Sequence, residues 1–255
     1  MNYADQVVAI TGAARGIGYA LAERYAAEGA KVVLLDVNAE VGAQSAARLN
    51  ATFYPLDVRD AGAVEGVVNA IDAQFGRIDV WINNAGVAHK GLAVDLSADD
   101  WDIDIGVMLS GAFYCARSVG KVMIRQQRGN MINVASVNGL FAQKARAPYC
   151  SAKAGLIMLT KVLASEWAEH GIRVNAIAPG VVMTDLVQQG IDQGIVTEQA
   201  YLSRIPMGRL GELGEIVEAV LFLSGDESTF MTGDVLRVDG GWTSYHLFYP
   251  YESAF

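Results

Sequence analysis

The chain has 255 residues, of which 52% are hydrophobic and 18% charged, a composition typical of a folded globule with one large core. Its formal net charge of −9 argues against nucleic-acid binding, which needs clustered Lys and Arg. The two cysteines, Cys115 and Cys150, show neither metal-ligand spacing nor a secreted disulfide framework, and the sequence has no basic leader or long apolar run. We therefore expect a cytoplasmic protein that binds small molecules, without metal, membrane or nucleic acid.

Short β-branched runs alternate with longer helical patterns along the chain. Strands are predicted at 6–11, 30–36, 51–58, 78–86, 129–136, 172–180 and 234–241, and helices at 17–29, 39–49, 61–75, 99–127, 149–170 and 212–223. Such alternation is typical of parallel strands joined by crossover helices, and strands that are apolar on both faces indicate helices on both sides. The sequence therefore predicts a single doubly wound, Rossmann-type α/β domain over 1–255, with about seven parallel strands.

The first predicted strand runs into a glycine-rich turn, TGAARGIGYA at 11–20. In doubly wound sheets, ligands bind beyond the carboxyl ends of the strands. Gly12, Gly16 and Gly18 permit a tight turn and a close backbone approach, and the helix that follows directs its N–H groups at the ligand. The turn indicates a pyrophosphate site, with a tight turn that binds no ligand as the alternative.

Asp36 ends the second predicted strand, eighteen positions after Gly18. An acidic residue at this offset typically binds the hydroxyls of the adenosine ribose, whereas an N-cap of the next helix is the alternative. A carboxylate there would repel a 2′-phosphate, so we expect NAD rather than NADP. Arg15 in the glycine turn argues the other way, because it could pair with a phosphate.

Tyr149 and Lys153 in the stretch PYCSAKAG are four residues apart, so a helix would place them on one face. Taken alone, this spacing is usually an ordinary surface pair. Its setting changes that interpretation, because other strand ends carry further motifs.

Six motifs, in chain order, together resemble the short-chain dehydrogenase/reductase family, and the resemblance runs from Gln6 to Gly241. They are TGAARGIG, Asp57 in LDV, NNAG at 83–86, Ser136 in NVAS, the YCSAK stretch and APG at 178–180. The resemblance implies an oxidoreductase that interconverts a secondary alcohol and a ketone, and Asp36 favours NAD as its cofactor. It also implies a homotetramer built from the helices at 99–127 and 149–170 and from the last strand.

The resemblance places Ser136, Tyr149 and Lys153 on the catalytic positions. Reduction of a ketone builds negative charge on its oxygen, so an acid must deliver a proton there, and Tyr149 is the candidate. Lys153 would lower the pKa of the phenol, and Ser136 would hydrogen-bond the substrate oxygen. The residues expected at the cofactor are Gly12, Arg15, Gly16, Ile17, Gly18, Asp36, Asp57, Val58, Asn84, Ala85, Gly86, Tyr149, Lys153, Pro179, Gly180, Val182 and Thr184.

Met108 departs from the family pattern, which places an Asn at this point of the long helix. In the family that Asn keeps a bend in the helix, and its main-chain carbonyl holds a water bonded to the lysine. Met108 still has the carbonyl but lacks the side-chain bond. The chain is therefore either an active enzyme with a backbone-held relay or an NAD-binding protein without turnover. The retained catalytic residues favour activity.

The substrate is expected to contact Ser136, Asn138, Gln143 and Tyr149. Lys144 and His89 lie in the same predicted loops, although a lone loop histidine is more often solvated. These polar side chains favour a polyol or sugar, with a less polar alcohol or ketone as the alternative.

Two further segments bear on the substrate and on assembly. Residues 185–208, rich in Gln and Gly, are predicted to form a lid of two short helices. The tail 242–255 carries Tyr245, Phe248, Tyr249, Tyr251 and Phe255. That much apolar surface is expected at or near a subunit interface, with packing over its own subunit as the alternative.

Overall fold

The computed structural model describes residues 3–192, 194 and 197–244. Within these residues the strands are β1 (Val7–Thr11), β2 (Lys31–Asp36), β3 (Thr52–Pro55), β4 (Val80–Asn83), β5 (Gly129–Val134), β6 (Ile172–Pro179) and β7 (Val235–Val238). They form one parallel sheet in the order β3-β2-β1-β4-β5-β6-β7. The order reverses between β1 and β4, which is where such sheets bind their ligands.

The helices in this part of the chain lie on both faces of the sheet. They are α1 (Gly16–Ala27), α2 (Ala39–Leu49), α3 (Ala61–Phe75), α4 (Ala98–Ile105), α5 (Gly111–Gln126), α6 (Ala147–Trp167), α7 (Asp185–Asp192), α8 (Glu198–Leu202) and α9 (Leu213–Ser224).

The core consists of two apolar layers separated by the sheet. Val8 and Ile10 of β1 pack in the layer under α1 and α9, whereas Val7 and Ala9 pack in the layer under α3, α5 and α6. Successive strand side chains point to opposite faces, so a strand buried on both sides must be apolar throughout. The prediction of a single doubly wound domain with seven parallel strands is confirmed.

The helix predicted at 99–127 is interrupted. It consists of α4, a π-helical turn at Gly106–Ser110 and α5. Gly111, directly after the turn, lacks a side chain at a point where the helix is crowded. A Cβ on Gly111 would lie 2.7 Å from Cγ2 of Val58. Hydrophobic periodicity does not reveal such a turn, because both halves remain amphipathic helix.

Several predicted strands are shorter in the structure than in the sequence pattern. The predicted strands at 51–58 and 78–86 pair with neighbours only over Thr52–Pro55 and Val80–Asn83. The residues beyond these ends leave the sheet and surround the site described below.

None of the described helices is long and apolar enough to cross a membrane. Among the described residues there is also no group of three or more His, Cys, Asp or Glu side chains that could hold a metal ion. The tail residues Tyr245 to Phe255, expected near a subunit interface, lie outside the described part of the chain.

Candidate active site

The glycine turn after β1 has two glycines with positive φ, Gly12 at 64° and Gly16 at 60°. A Cβ on Gly12 would lie 2.8 Å from the Cα of Ala85, and one on Gly18 would lie 2.3 Å from the carbonyl oxygen of Gly12. A Cβ on Gly16 would meet nothing within 4 Å. Gly12 and Gly18 are therefore required by packing inside the protein, whereas Gly16 borders open space at the N-terminus of α1. This geometry fits a dinucleotide pyrophosphate.

Asn84 fixes the turn from the neighbouring strand end. Its Nδ2 donates to the carbonyl oxygens of Thr11 and Gly12, both at 2.9 Å. The Thr11 hydroxyl oxygen accepts the backbone N–H groups of Asn84 and Ala85, both at 3.0 Å. The NNAG motif thus supports the glycine turn directly.

Asp36 lies beside the same turn with both carboxylate oxygens engaged. Oδ2 accepts the N–H of Ala14 and Oδ1 accepts the N–H of Asn38, each at 2.9 Å. The N-cap of α2 is Asn38, whose side chain accepts the N–H of Val41. The alternative of Asp36 as the helix cap is therefore wrong, and its partly exposed carboxylate remains at the turn. Arg15, within the turn itself, is exposed.

Asp57 and Val58 follow β3 and differ in exposure. The Arg59 guanidinium forms a bidentate pair with Asp57, at 3.0 Å from Nε and 2.6 Å from Nη2, and it lowers the pKa of that carboxyl. The Val58 side chain is buried against Gly111. Only its backbone is therefore available to border an adenine.

The residues expected to contact the nicotinamide follow the end of β6. Gly180 is needed for close packing, since a Cβ there would lie 2.9 Å from the Cα of Asp239. Val182 is buried, and the Thr184 hydroxyl accepts the N–H of Val187 at 3.3 Å in the first turn of α7. Thr184 therefore joins the β6 end to α7.

Ser136, Tyr149 and Lys153 come together beyond the end of β5. Ser136 leaves the strand, and α6 presents Tyr149 and Lys153 one turn apart on the same face. The Ser136 side chain lies close enough to Tyr149 to lower the pKa of its hydroxyl. The Lys153 Nζ donates to the carbonyl oxygen of Val134 at 2.7 Å and lies 5.8 Å from the centroid of the Tyr149 ring. The spacing seen in the sequence thus produces one cluster.

Burial dominates the electrostatics of this cluster. It raises the pKa of Tyr149 and outweighs the opposing effects of the Ser136 side chain and the charge of Arg146. Burial also lowers the pKa of Lys153 to about 8. Desolvation of the phenol dominates in this structure, and a lowering of the Tyr149 pKa by Lys153 stays a prediction.

Met108 lies in the π-helical turn with its side chain 1% exposed. A Cβ on Gly86 would lie 3.8 Å from the Met108 sulfur, so the thioether packs against the NNAG loop. Met108 also lines a small cavity with Thr11, Asn83 and Leu156. The helix irregularity expected at this position is present although the Asn is not.

The expected substrate contacts partly satisfy each other. The Asn138 Nδ2 donates to Oε1 of Gln143 at 2.5 Å, and the N–H of Asn138 donates to the Ser136 hydroxyl oxygen at 3.1 Å. Gln143 and Lys144 are exposed. The polar wall predicted from these residues is therefore an internally bonded loop rather than a row of free donors.

An apolar cluster was missed by the sequence analysis. Phe141, in the loop after Ser136, stacks on Trp242 with ring centroids 6.3 Å apart. Side chains of α7, α8 and the segments around them pack on this pair, among them Val187, Ile191, Tyr201, Leu202, Ile205 and Leu210. The two helices match those predicted at 185–208, and their role as a lid stays a prediction. The signal for the cluster was present in the sequence only as scattered apolar residues.

His89 is partly exposed, and its imidazole is paired with two carboxylates. Its Nδ1 lies 2.7 Å from Oδ1 of Asp104, and its Nε2 lies 3.5 Å from Oδ1 of Asp100. Asp104 is fully buried at the end of α4. Because Asp104 and His89 are fifteen positions apart, no local pattern joins them.

Three features lie at the same edge of the doubly wound sheet: the glycine turn, the acidic residue at the end of β2 and the Ser–Tyr–Lys cluster. Together they define a nicotinamide-dependent oxidoreductase that acts on CH–OH groups. A family model described as enoyl-(acyl carrier protein) reductase matches residues 12–243. The chain belongs to the short-chain dehydrogenase/reductase family, as its motifs indicate.

Characterised relatives have several substrates. The chain is 39% identical to D-threitol dehydrogenase of Mycolicibacterium smegmatis, covering 93% of each protein. It is 38% identical to 3-oxoacyl-[acyl-carrier-protein] reductase of Thermotoga maritima, covering 94% of this chain and 99% of the relative.

Solved structures with the same fold include one with NAD+ bound and one with NADP bound. NAD+-bound xylitol dehydrogenase is 34% identical with a TM-score of 0.90, over 94% of this chain and 100% of that one. ElxO with NADP bound is 33% identical with a TM-score of 0.90 over the same shares.

Proposed function

We propose that the protein is an NAD-dependent dehydrogenase that interconverts a secondary alcohol and a ketone in a polyol or sugar. The observation that carries the cofactor assignment is Asp36, whose partly exposed carboxylate is held at the glycine turn by two backbone N–H groups. The similarity to D-threitol dehydrogenase and to xylitol dehydrogenase supports the substrate class.

The cofactor would be held by the first turn of α1, Asp36, the NNAG loop and the segment after β6. When bound, it supplies the hydride acceptor for oxidation or the hydride donor for reduction. The open space beside Gly16, where a side chain would intrude, fits this ligand. Tyr149 and Lys153 are expected to border its nicotinamide ribose.

The chain's own residues supply the proton chemistry. The Ser136 hydroxyl orients the substrate oxygen beside the Tyr149 hydroxyl. During reduction Tyr149 donates its proton to the developing alkoxide, and during oxidation it accepts the proton of the alcohol. Its raised pKa keeps the phenol protonated at neutral pH, so it is prepared to donate. Lys153 then stabilises the phenolate that remains.

A less polar substrate is the second candidate, and the Phe141–Trp242 stack with its apolar cluster favours it. The similarity to 3-oxoacyl-[acyl-carrier-protein] reductase also supports it. A non-catalytic NAD-binding protein is the third, because Met108 replaces the usual Asn.

A substrate screen distinguishes these candidates. Purified protein is mixed with NAD and a panel of polyols, or with NADH and a panel of ketones that includes β-ketoacyl thioesters, and the NADH absorbance is followed. Turnover of polyols supports the proposal. Turnover of thioesters alone would favour the second candidate, and cofactor binding without any turnover the third.

Cofactor choice is tested by titration with NAD and NADP. We expect NAD to bind at least about tenfold more tightly, and Asp36→Ala to narrow that gap because the carboxylate repels the 2′-phosphate. Asp60→Ala, which removes only the N-cap of α3, is the matched control and should leave the ratio unchanged. Equal affinity in the wild-type protein would overturn the assignment.

The proposal includes a homotetramer. Phe113 on α5 and Met158 and Val162 on α6 are 44%, 58% and 45% exposed, an apolar surface that a subunit contact would cover. Sedimentation analysis should show a tetramer, and Met158→Lys should weaken it. A monomeric wild-type protein would contradict this part of the proposal.

A further inference from the structure

Arg146 lies directly before α6, beside the catalytic tyrosine. Its Cζ is 5.8 Å from the centroid of the Tyr149 ring. Arg59, Arg125 and Arg209 each form a salt bridge with a carboxylate. Among the described side chains, no carboxylate forms such a pair with Arg146. Its charge therefore acts on the aromatic ring and hydroxyl rather than on a structural acid.

The backbone that carries Arg146 is fixed from two sides. Arg146 forms an isolated parallel bridge with Gly91, whose N–H donates to the carbonyl oxygen of Ala145 at 3.2 Å. Ala145 itself has a φ of 62°, a left-handed conformation that costs a non-glycine residue stability. The loop after the NNAG motif thus holds a strained residue in place and, with it, the start of α6. The backbone from which the Arg146 side chain extends is therefore held in place.

The other cation near Tyr149 has a limited pH range. Lys153 is buried, and burial lowers its pKa to about 8. Above that pH Lys153 progressively loses its charge. A guanidinium keeps its charge throughout this range. Arg146 therefore keeps its positive charge at pH values where Lys153 has lost its own.

The remaining groups around Tyr149 oppose ionisation or are neutral. Asp104 on α4 and the neighbouring Cys150 raise its pKa, whereas the Ser136 hydroxyl lowers it. The negative charge of Asp104 is partly offset by His89, which is bonded to it. Arg146 is thus the one charged group facing Tyr149, among those described, whose favourable effect on a phenolate does not depend on pH.

We propose that Arg146 is a positioning residue whose guanidinium, beside the Tyr149 ring, stabilises the phenolate form of Tyr149 during alcohol oxidation. This inference rests on the proposed dehydrogenase function, since it assigns Tyr149 the proton transfer. It does not require a particular substrate.

The first test is the pH profile of kcat/KM for oxidation in Arg146→Met. On the acidic side of the profile kcat/KM falls as Tyr149 becomes protonated, and we call this part the acidic limb. It should move to higher pH by about 0.5 unit or more, because the phenolate loses a stabilising charge. Arg146→Lys should restore most of the wild-type profile. Arg48→Met, which removes an exposed cation on α2, is the control and should leave the pH profile unchanged.

A second readout is independent of turnover. The ultraviolet absorbance of tyrosinate is titrated in the wild-type protein and in Arg146→Met, and the titration of Tyr149→Phe is subtracted to isolate Tyr149. Its ionisation should shift upward in Arg146→Met even if no substrate is ever found. A failure of the proposed function and a failure of this inference are thereby distinguishable.

Two outcomes would overturn the inference. One is an unchanged limb together with an unchanged tyrosinate titration in Arg146→Met. The other is a rise in KM at constant kcat with no shift of the limb, which would make Arg146 a substrate contact instead. If Arg146→Met does not fold, Arg146→Gln provides the same comparison with a polar side chain.

Discussion

The imidazole of His89 is bonded through Nδ1 to Oδ1 of Asp104 at 2.7 Å, and that carboxylate is completely buried. The backbone N–H of His89 donates to the same carboxylate, at 3.2 Å from Oδ2. A buried carboxylate is costly unless it is paired. The pair therefore fixes the loop after NNAG to the end of α4.

This pair predicts a pH dependence of stability. The hydrogen bond to Asp104 raises the pKa of His89. A raised folded pKa gives stability that is fully present below the unfolded value of about 6.5 and is lost as pH rises through the folded value. The melting temperature should therefore fall as pH rises through this window, and Asp104→Asn should flatten that part of the curve. His170→Gln is the control, and parallel curves for Asp104→Asn and the wild type would contradict the interpretation.

Tyr149→Phe should lower kcat by about 100-fold or more while NAD affinity stays nearly unchanged, since it removes the transferred proton but little binding surface. Steady-state kinetics and NAD titration measure the two quantities separately. Tyr54→Phe, which removes only an exposed hydroxyl bonded to Gln74, should have no effect on either. Proportional losses of turnover and NAD binding would instead indicate a structural tyrosine.

Lys153→Met should abolish turnover but raise stability at neutral pH. Burial of Lys153 lowers its pKa from 10.5 to about 8, which corresponds to roughly 3 kcal/mol of unfavourable charge burial. Loss of the bond to the Val134 carbonyl offsets about 1–2 kcal/mol of this gain. Thermal unfolding should therefore give a melting temperature a few degrees higher in the variant.

The stability difference between Lys153→Met and the wild-type protein should also depend on pH. Between about pH 8 and 10.5 the unfolded wild-type chain binds more protons at Lys153 than the folded one, so wild-type stability from this group rises with pH. The advantage of Lys153→Met should accordingly shrink over that range. An advantage that is constant with pH would mean that charge burial is not its cause.

Met108→Asn should change kcat by less than about tenfold, under about 1.4 kcal/mol of barrier. The π-helical turn is present with Met108, so the backbone geometry does not depend on an Asn side chain. Met123→Asn, at a core position that is also fully buried, is the control and should reduce stability much more. If only Met108→Asn turned over substrate, the natural chain would be a binding protein on a dehydrogenase scaffold.

The fold and the cluster around Tyr149 could be predicted because their signals are local. Glycines 12, 16 and 18 follow one strand directly, and Tyr149 and Lys153 are separated by one helical turn. Parallel strand ends share one edge of the sheet, so local motifs fall together without knowledge of distant contacts.

The missed features depend on contacts between distant segments. Asp104 and His89 meet across a loop, and Phe141 and Trp242 stack although they are about a hundred residues apart. The sign of the Tyr149 shift also needed the structure, because desolvation depends on everything that surrounds the phenol. Neither periodicity nor spacing encodes these quantities.

The π-helical turn adds one residue between the two helices that it joins. A π-helical turn holds one residue more than an α-helical turn, so the helices on either side of it keep nearly the phase of a continuous α-helix. In this protein α4 directs Asp104 toward His89, while α5 directs Gly111 against Val58. Deletion of a single residue from Gly106–Ser110 would therefore leave a continuous α-helix in which both of these contacts are kept. The extra residue instead determines where the side chains of the turn itself point, among them Met108 against the NNAG loop.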